Sequence, residues 1–112
     1  MSSGDRAERI AAAYLQGKGL AVIESRYRCR WGEIDLILRD RDTLVFAEVR
    51  LRHSKDFGGA TYSIDRRKQA RIIATARHYL SGTRESPCRF DVVLLDRIEP
   101  PQIEWIRDAF SA

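Results

Sequence analysis

Two strand-length apolar runs, joined by a short polar turn, constrain the fold of this chain more than any other feature. Gly32 to Arg39 and Thr43 to Arg52 each read as a β-strand, and Asp40-Arg41-Asp42 between them is a turn sequence. Within both runs charges recur at a spacing of two, which puts them on one face of each strand. The charged residues are Glu33 and Asp35 on the first run and Glu48, Arg50 and Arg52 on the second.

The short turn favours an antiparallel pair, so Asp35 and Glu48 can face the same side of a sheet. The alternate positions of the second run are apolar and are expected to point into a core. These positions are Val45, Ala47, Val49 and Leu51.

The remaining hydrophobic pattern adds two helices and further strands around this hairpin. One later apolar run is continuous, which is typical of a strand buried on both faces and parallel to its neighbour after a helical crossover. The predicted fold class is therefore α/β, with three antiparallel strands, a crossover helix and a parallel fourth strand in a mixed sheet flanked by helices. The predicted helices are Asp5–Lys18 and, after an Asp65 N-cap, Arg66 to about Leu80. The other predicted strands are Leu20–Tyr27, Arg89–Asp96 and a short edge strand at Gln102–Ile106. A terminal helical turn is predicted at Arg107–Ser111.

Length and composition bound the class of protein. The 112 residues, 44% hydrophobic and 32% charged, suit one globular domain spanning residues 1–112. No apolar run is long enough to cross a bilayer and the N-terminus has no signal core, so a cytoplasmic protein without membrane contact is expected. Cys29 and Cys88 lack the spacing of a zinc site, and a disulfide between them is disfavoured in a reducing compartment.

Basic residues point to a polyanionic partner. The net charge is +4 and the pI is about 9.4. Arg26 to Trp31 interleaves arginines with aromatic residues, which suits phosphate contact and base stacking but equally an exposed hairpin. A second basic cluster crowds the first turns of the second helix, where cations oppose the helix dipole, so it either holds phosphates or forms a solvated face. The cluster comprises Arg66, Arg67, Lys68 and Arg71.

The paired carboxylates suggest metal-dependent chemistry. Asp35 and Glu48 offer hard oxygen ligands for Mg²⁺ or Mn²⁺, and Arg50 is placed to stabilise charge on a phosphate. Glu8, at the border of the apolar stripe of the first helix, either leans toward that site or pairs with a neighbouring arginine. Gln69, inside the stripe of the second helix, either bonds backbone or reaches into a polar site. The charges on the two strands could also be plain cross-strand ion pairs.

Several short blocks of residues occur together along the chain. They are Ala7-Glu8 with Ala11, Tyr14 and Leu15; Tyr27-Arg28-Cys29-Arg30; Gly32-Glu33-Ile34-Asp35-Leu36-Ile37; Phe46-Ala47-Glu48-Val49; Gly58; Lys68-Gln69; Arg89-Phe90-Asp91-Val92-Val93; Trp105; and Ala109-Phe110. Together these blocks resemble the YraN-like uncharacterised bacterial protein family, whose members look like small restriction-endonuclease-like domains. The resemblance runs from Gly4 nearly to the C-terminus.

The resemblance implies a site of the restriction-endonuclease-like and Holliday-junction-resolvase-like superfamily. It assigns Asp35, Glu48 and Glu8 as metal ligands, and it puts Arg50 where family members more often have lysine. Arginine keeps its charge but cannot act as a general base. The expected function is a DNA-binding, Mg²⁺- or Mn²⁺-dependent endonuclease with Gln69 orienting water or a ligand. The expected nucleic-acid contacts are Arg28, Arg30, Arg52, Arg66, Arg67, Lys68 and Arg71.

Two alternatives to a nuclease stay open from the sequence. The chain could be a non-catalytic nucleic-acid-binding domain with a degenerate site, or a partner-binding module whose charges form ion pairs only. A domain of this size could also form a homodimer to grip a duplex.

Overall fold

The computed structural model describes residues 3–51, 64–82, 86–98 and 100–112. They form a five-stranded sheet in the order β1-β2-β3-β4-β5, packed between two helices. Strands β3 and β4 are parallel, and the other neighbours are antiparallel. The elements are α1 Ser3–Gly17, β1 Ala21–Cys29, β2 Gly32–Asp40, β3 Thr43–Leu51, α2 Arg66–Leu80, β4 Cys88–Ile98 and β5 Pro101–Phe110.

This architecture confirms the predicted α/β class and the mixed sheet. Helix α2 lies between β3 and β4 in the chain, as expected of a crossover between parallel strands, and the arrangement is consistent with a restriction-endonuclease-like core. Asp65 caps α2, because its Oδ1 accepts the backbone N–H of Lys68 at 2.8 Å. No helix in the described ranges is long and apolar enough to cross a membrane.

Each face of the sheet buries its own hydrophobic core, one beneath each helix. Strands β2, β3 and β4 contribute apolar side chains to both cores, which explains their nearly continuous apolar sequences. The core beneath α1 includes Ala11, Leu15, Leu36, Leu38, Val45, Ala47, Val93 and Leu95. The core beneath α2 includes Ile34, Ile37, Phe46, Ile72, Ala76, Phe90, Val92 and Leu94.

Strand β2 departs from strict alternation beside Asp35. Ile34 packs beneath α2 while Leu36 packs beneath α1, although an ideal strand would put both on one face. The neighbouring strand is also irregular here, since Arg26 has a left-handed φ of 55°. Arg26 lies between the Ser25–Leu36 and Tyr27–Ile34 pairs, across from Asp35. The sheet is therefore distorted where the first predicted metal ligand lies.

The predicted edge strand at Gln102–Ile106 is confirmed, but the predicted helical turn at Arg107–Ser111 was wrong. The strand continues to Phe110, so the chain forms one edge strand, Pro101–Phe110, paired with β4. A buried carboxylate holds it there: Asp91 accepts the indole N–H of Trp105 at 3.0 Å and the backbone N–H of Asp108 at 2.9 Å. Asp108 has a left-handed φ of 52°, so β5 is irregular at a position that the local sequence does not predict.

Smaller differences occur at element ends. Helix α1 begins at Ser3 and ends at Gly17, so Lys18 lies just outside it, and β1 runs on to Cys29. Leu51 is 42% exposed and not in a core, unlike Val45 and Ala47. Cys29 and Cys88 are both free. Arg52 and Gly58 lie outside the described residues.

Candidate active site

Asp35 and Glu48 lie side by side on adjacent strands. The ladder between β2 and β3 pairs Leu36 with Ala47, and these two carboxylates come next along it. Glu48 is buried, with 5% of its surface exposed. The backbone N–H of Val49 donates to Oδ2 of Asp35 at 2.8 Å, which fixes the carboxylate against β3. We call Asp35 and Glu48 the carboxylate pair.

The carboxylate pair is electrostatically strained. Burial raises the pKa of Asp35 from 3.8 to about 8, helped by a hydrogen bond to Glu48 and by the negative charges of Glu48 and Glu8. The N–H of Val49 acts in the opposite direction, but it does not compensate. Near neutral pH, in the absence of a metal, the carboxylate pair therefore holds one proton.

Two cationic side chains contact Oε2 of Glu48. Arg50 Nη2 lies 2.8 Å from Glu48 Oε2, and Lys68 Nζ lies 3.1 Å from the same atom. Arg50 comes from β3, one pleat along from Glu48, whereas Lys68 comes from the first turn of α2. We call Arg50 and Lys68 the cation pair.

Glu8 faces the same pocket from α1 but is held by another residue. Nε of Arg26 donates to Oε1 of Glu8 at 2.9 Å, and Arg26 also contacts Asp5. The pKa of Glu8 is raised by partial burial and by the nearby charges of Glu33 and Glu48. The pocket has a volume of about 230 Å³ and is lined by the cation pair and by four carboxylates, Glu8, Glu33, Asp35 and Glu48. Within the described ranges, no group of three potential metal-ligating side chains converges on one point.

The model of the uncharacterised protein family UPF0102 matches residues 7–95, which include the carboxylate pair and the cation pair. The chain belongs to UPF0102. A UPF0102 protein of Nitrosomonas europaea is 56% identical over 111 residues, covering 98% of this chain and 94% of the relative. UPF0102 proteins of Nitrosospira multiformis and Methylobacillus flagellatus are 54% and 50% identical, covering 96% and 97% of this chain and 92% and 96% of the relatives. The family assignment confirms the resemblance found in the sequence.

Gln69 is not among the described residues that line the pocket of this UPF0102 chain, and its side chain bonds the backbone. Its Nε2 donates to the carbonyl oxygen of Ile64 at 2.7 Å, which is one of the two alternatives that the sequence left open. The bond fixes the entry of α2, the helix that carries Lys68. A role for Gln69 in orienting water stays a prediction.

The predicted nucleic-acid contacts fall on two neighbouring elements. Arg30 and Trp31 are exposed in the turn between β1 and β2, with the guanidinium of Arg30 4.7 Å from the ring centroid of Trp31. This turn packs against α2 at Gly32, where a Cβ atom would lie 3.3 Å from Oγ1 of Thr75 and 3.8 Å from Cβ of Arg71. Because Gly32 also has a φ of 149°, a larger residue would disturb this packing.

The remaining basic residues differ in how free they are. Arg66, Arg67 and Arg71 are exposed on α2. Arg28 is also exposed, but its Nε donates to Oε2 of Glu33 at 3.0 Å, so Glu33 forms an ion pair at the rim of the pocket.

Lys68 is the site residue whose position sequence reasoning missed, because it was grouped with the arginines of α2. Its long-range partner, Glu48, is 20 residues away in the sequence and on another element. One signal was present: a lysine in the first turn of a helix opposes the helix dipole, and a buried carboxylate partner offsets that cost. The ion pair between Arg26 and Glu8 gave no signal in the sequence.

Proposed function

We propose that this UPF0102 protein binds nucleic acid and hydrolyses a phosphodiester bond with the help of Mg²⁺ or Mn²⁺. The observation that carries the proposal is a pair of adjacent carboxylates, Glu48 buried and Asp35 half-buried, with two cations beside it in a polar pocket at the end of β3. Carboxylates hold hard divalent ions, and cations stabilise the charge that develops on a phosphate.

The donors fit a divalent cation. Asp35 and Glu48 supply oxygen ligands from adjacent strands, and their mutual repulsion is what a bound cation would relieve, since it contributes to the raised pKa of Asp35. Mg²⁺ usually takes one or two protein carboxylates and completes its shell with water and substrate phosphate, so a third converging side chain is not required. Such an ion lowers the pKa of a bound water and neutralises phosphate charge.

The protein's own groups then have separate tasks. Asp35 and Glu48 would hold the ion, and Glu8 would be a further ligand, direct or through water, on leaving Arg26. Arg50 turns from Glu48 to the phosphate. Its Nε is buried with no hydrogen-bond partner in the described part of the chain, so its present position is not a fully satisfied one.

The surface around the pocket suits DNA. The turn that carries Arg30 and Trp31 offers a cation and a stacking ring, and Arg71 of α2 lies next to it. Aromatic rings stack on bases, while arginines contact phosphates whatever the sequence. The net charge of +4 supports the same partner.

A cleavage assay tests this function. Wild-type protein is incubated with linear and branched DNA and with Mn²⁺, Mg²⁺ or a chelator, and compared with Glu48→Gln. We expect metal-dependent cleavage that Glu48→Gln lowers by about 100-fold or more, because it removes a ligand charge. Asp42→Asn is the matched control, since Asp42 is exposed in the turn at the other end of β3. Absence of metal-dependent cleavage on every substrate would contradict the proposal.

A non-catalytic DNA-binding domain is the second candidate. It is favoured by one observation: Glu48 already has two cation partners and Glu8 has one, so these carboxylates are neutralised without a metal. The same assay distinguishes the two, because this candidate predicts salt-dependent DNA binding without cleavage. Affinity that does not change with salt would exclude both candidates.

A further inference from the structure

The lysine of the site comes from α2. Position 50 on β3, one pleat along from Glu48, is an arginine, yet an ammonium group still lies 3.1 Å from Oε2 of Glu48. That ammonium belongs to Lys68, which shares the pocket with Asp35 and Arg50. The site therefore contains both kinds of cation, supplied by two different elements.

The local structure aims Lys68 at this position. Asp65 caps α2 through the backbone N–H of Lys68 itself, and the amide of Gln69 holds the preceding segment at Ile64. These two bonds fix the first turn of the helix, so the side chain of Lys68 starts from a rigid backbone. Preorganised cations stabilise developing charge more effectively than mobile ones, because they need no reorganisation during the reaction.

We propose that Lys68 supplies the catalytic ammonium of this site and contacts the phosphate, a role that rests on the proposed phosphodiesterase function. In that reaction the oxygen of a water forms a bond to phosphorus and one P–O ester bond breaks. The attacking water loses a proton to solvent, the leaving oxygen gains one from solvent, and a phosphomonoester and an alcohol result. Lys68 keeps its proton throughout and stabilises the negative charge that builds on the phosphate oxygens.

Lys68 and Arg50 differ in what they can do there. The ammonium is a compact point charge on a flexible stem, whereas the guanidinium is a planar fork suited to gripping two oxygens. Lys68 is 31% exposed and Arg50 is 40% exposed, so both charged ends can reach a phosphate in the pocket. A divalent ion at Glu48 would repel both side chains from their present partner and toward the substrate.

The alternative is a purely structural role, in which Lys68 only neutralises the charge of Glu48. A purely structural ion pair would predict that loss of Lys68 lowers stability, and that activity falls only with the folded fraction. It would also predict that arginine at position 68 replaces lysine fully, since charge alone would matter. Both predictions can be measured.

A lysine swap tests the proposal. Under single-turnover conditions with Mn²⁺ and saturating DNA, we expect Lys68→Met to slow cleavage by about 100-fold or more, with DNA affinity changed by less than about threefold. The double variant Lys68→Met/Arg50→Lys returns an ammonium to the pocket from β3, and it should recover most of that loss. Lys18→Met is the matched control, because Lys18 is an exposed lysine beyond the end of α1.

A second readout needs no turnover. Mn²⁺ titration by calorimetry without DNA should show equal or tighter binding for Lys68→Met than for the wild type, because a competing cation leaves Glu48. Thermal unfolding in the same buffer checks that each variant is folded.

The outcomes separate the two proposals. If the wild type cleaves and Lys68→Met cleaves equally well, or if the double variant stays as slow as Lys68→Met, the role of Lys68 is refuted and the nuclease function stands. If Lys68→Met binds Mn²⁺ more weakly while folded, Lys68 supports the metal site and not the phosphate, which also refutes it. If the wild type cleaves nothing, the proposed function fails and the role of Lys68 fails with it.

Discussion

Arg26 and Glu8 are joined across the gap between β1 and α1, with Nε of Arg26 donating to Oε1 of Glu8 at 2.9 Å. The arginine makes this bond from a left-handed backbone, with a φ of 55°. A side chain other than glycine is strained in that conformation by about 1–2 kcal/mol. Arg26 lies across from Asp35. The backbone beside the candidate site is therefore conformationally strained, and the contacts of Arg26 with Glu8 and Asp5 offset the energy of this strain.

The cost of that conformation can be measured by comparing two substitutions. Arg26→Ala and Arg26→Gly both remove the contacts with Glu8, but only glycine relieves the strain. We expect the glycine variant to be more stable to urea by about 1 kcal/mol. Ser25 is the control position, because it does not have a positive φ. There the alanine variant should be more stable than the glycine variant. Equal stabilities of the two Arg26 variants would contradict a strained backbone.

The stability of the metal-free protein should fall as the pH rises. Because the pKa of Asp35 is about 8 in the folded state and 3.8 as a model value, the folded protein binds more protons than the unfolded chain between these values. Each pH unit over which the states differ by a full proton lowers the free energy of unfolding by about 1.4 kcal/mol.

Urea unfolding of the wild type and of Asp35→Asn, with a chelator at pH 5, 7 and 9, measures this effect. The difference between the two proteins isolates Asp35 from other titrating groups. The wild type should lose its stability relative to Asp35→Asn as the pH rises. A constant difference would show that the pKa of Asp35 is not raised.

The turn between β1 and β2 should contribute to DNA affinity in two separable ways. Arg30→Gln should make the plot of log affinity against log salt shallower by about 0.9, which is the value for one lost phosphate contact. Trp31→Ala should weaken binding by about 1–3 kcal/mol without changing the slope, because stacking releases no counterion. Arg39→Gln, an exposed arginine near the opposite end of β2, serves as the control. Identical slopes for the wild type and Arg30→Gln would remove this turn from the interface.

Asp91 should be the main polar support of the C-terminal strand. Its side chain is fully buried and accepts bonds from Arg89, Trp105 and the backbone of Asp108. Asp91→Asn leaves Arg89 with Asp40 as its carboxylate partner, and it puts an amide NH₂ group in a buried site that is surrounded by donors. We therefore expect a loss of about 3 kcal/mol in the free energy of unfolding. Asp108→Asn should cost less than about 0.5 kcal/mol, because this side chain is exposed and asparagine tolerates a positive φ. A loss below about 1 kcal/mol for Asp91→Asn would contradict this role.

The central hairpin and α2 could be predicted because their signals are local. The spacing of Glu33, Asp35 and Glu48 and the Asp-rich turn define two strands, and the cap at Asp65 locates the start of α2 within a residue. Strand β5 could be predicted only in its first part, Gln102–Ile106. Its pairing depends on Asp91, a buried partner elsewhere in the chain, and residues 107–111 alone have no feature that excludes a helical turn.

The part of the candidate site that depends on strand geometry alone could be predicted from the sequence. Asp35, Glu48 and Arg50 follow from alternation on two paired strands, and the structure brings them together. The contacts of Lys68 and Arg26 depend on how each helix docks against the sheet, which no local pattern specifies. The resemblance to a family helped with Glu8, but it did not reveal that Arg26 holds this residue.

Calorimetric titration of metal-free protein with Mn²⁺ at pH 7, in buffers of different ionisation enthalpy, tests the carboxylate pair most directly. Since the carboxylate pair holds one proton at this pH, binding of the ion should release about one proton, and Asp35→Asn should abolish both the proton release and most of the affinity. Asp42→Asn should bind Mn²⁺ like the wild type. Absence of saturable binding, or equal binding by Asp35→Asn, would contradict a metal site at Asp35 and Glu48.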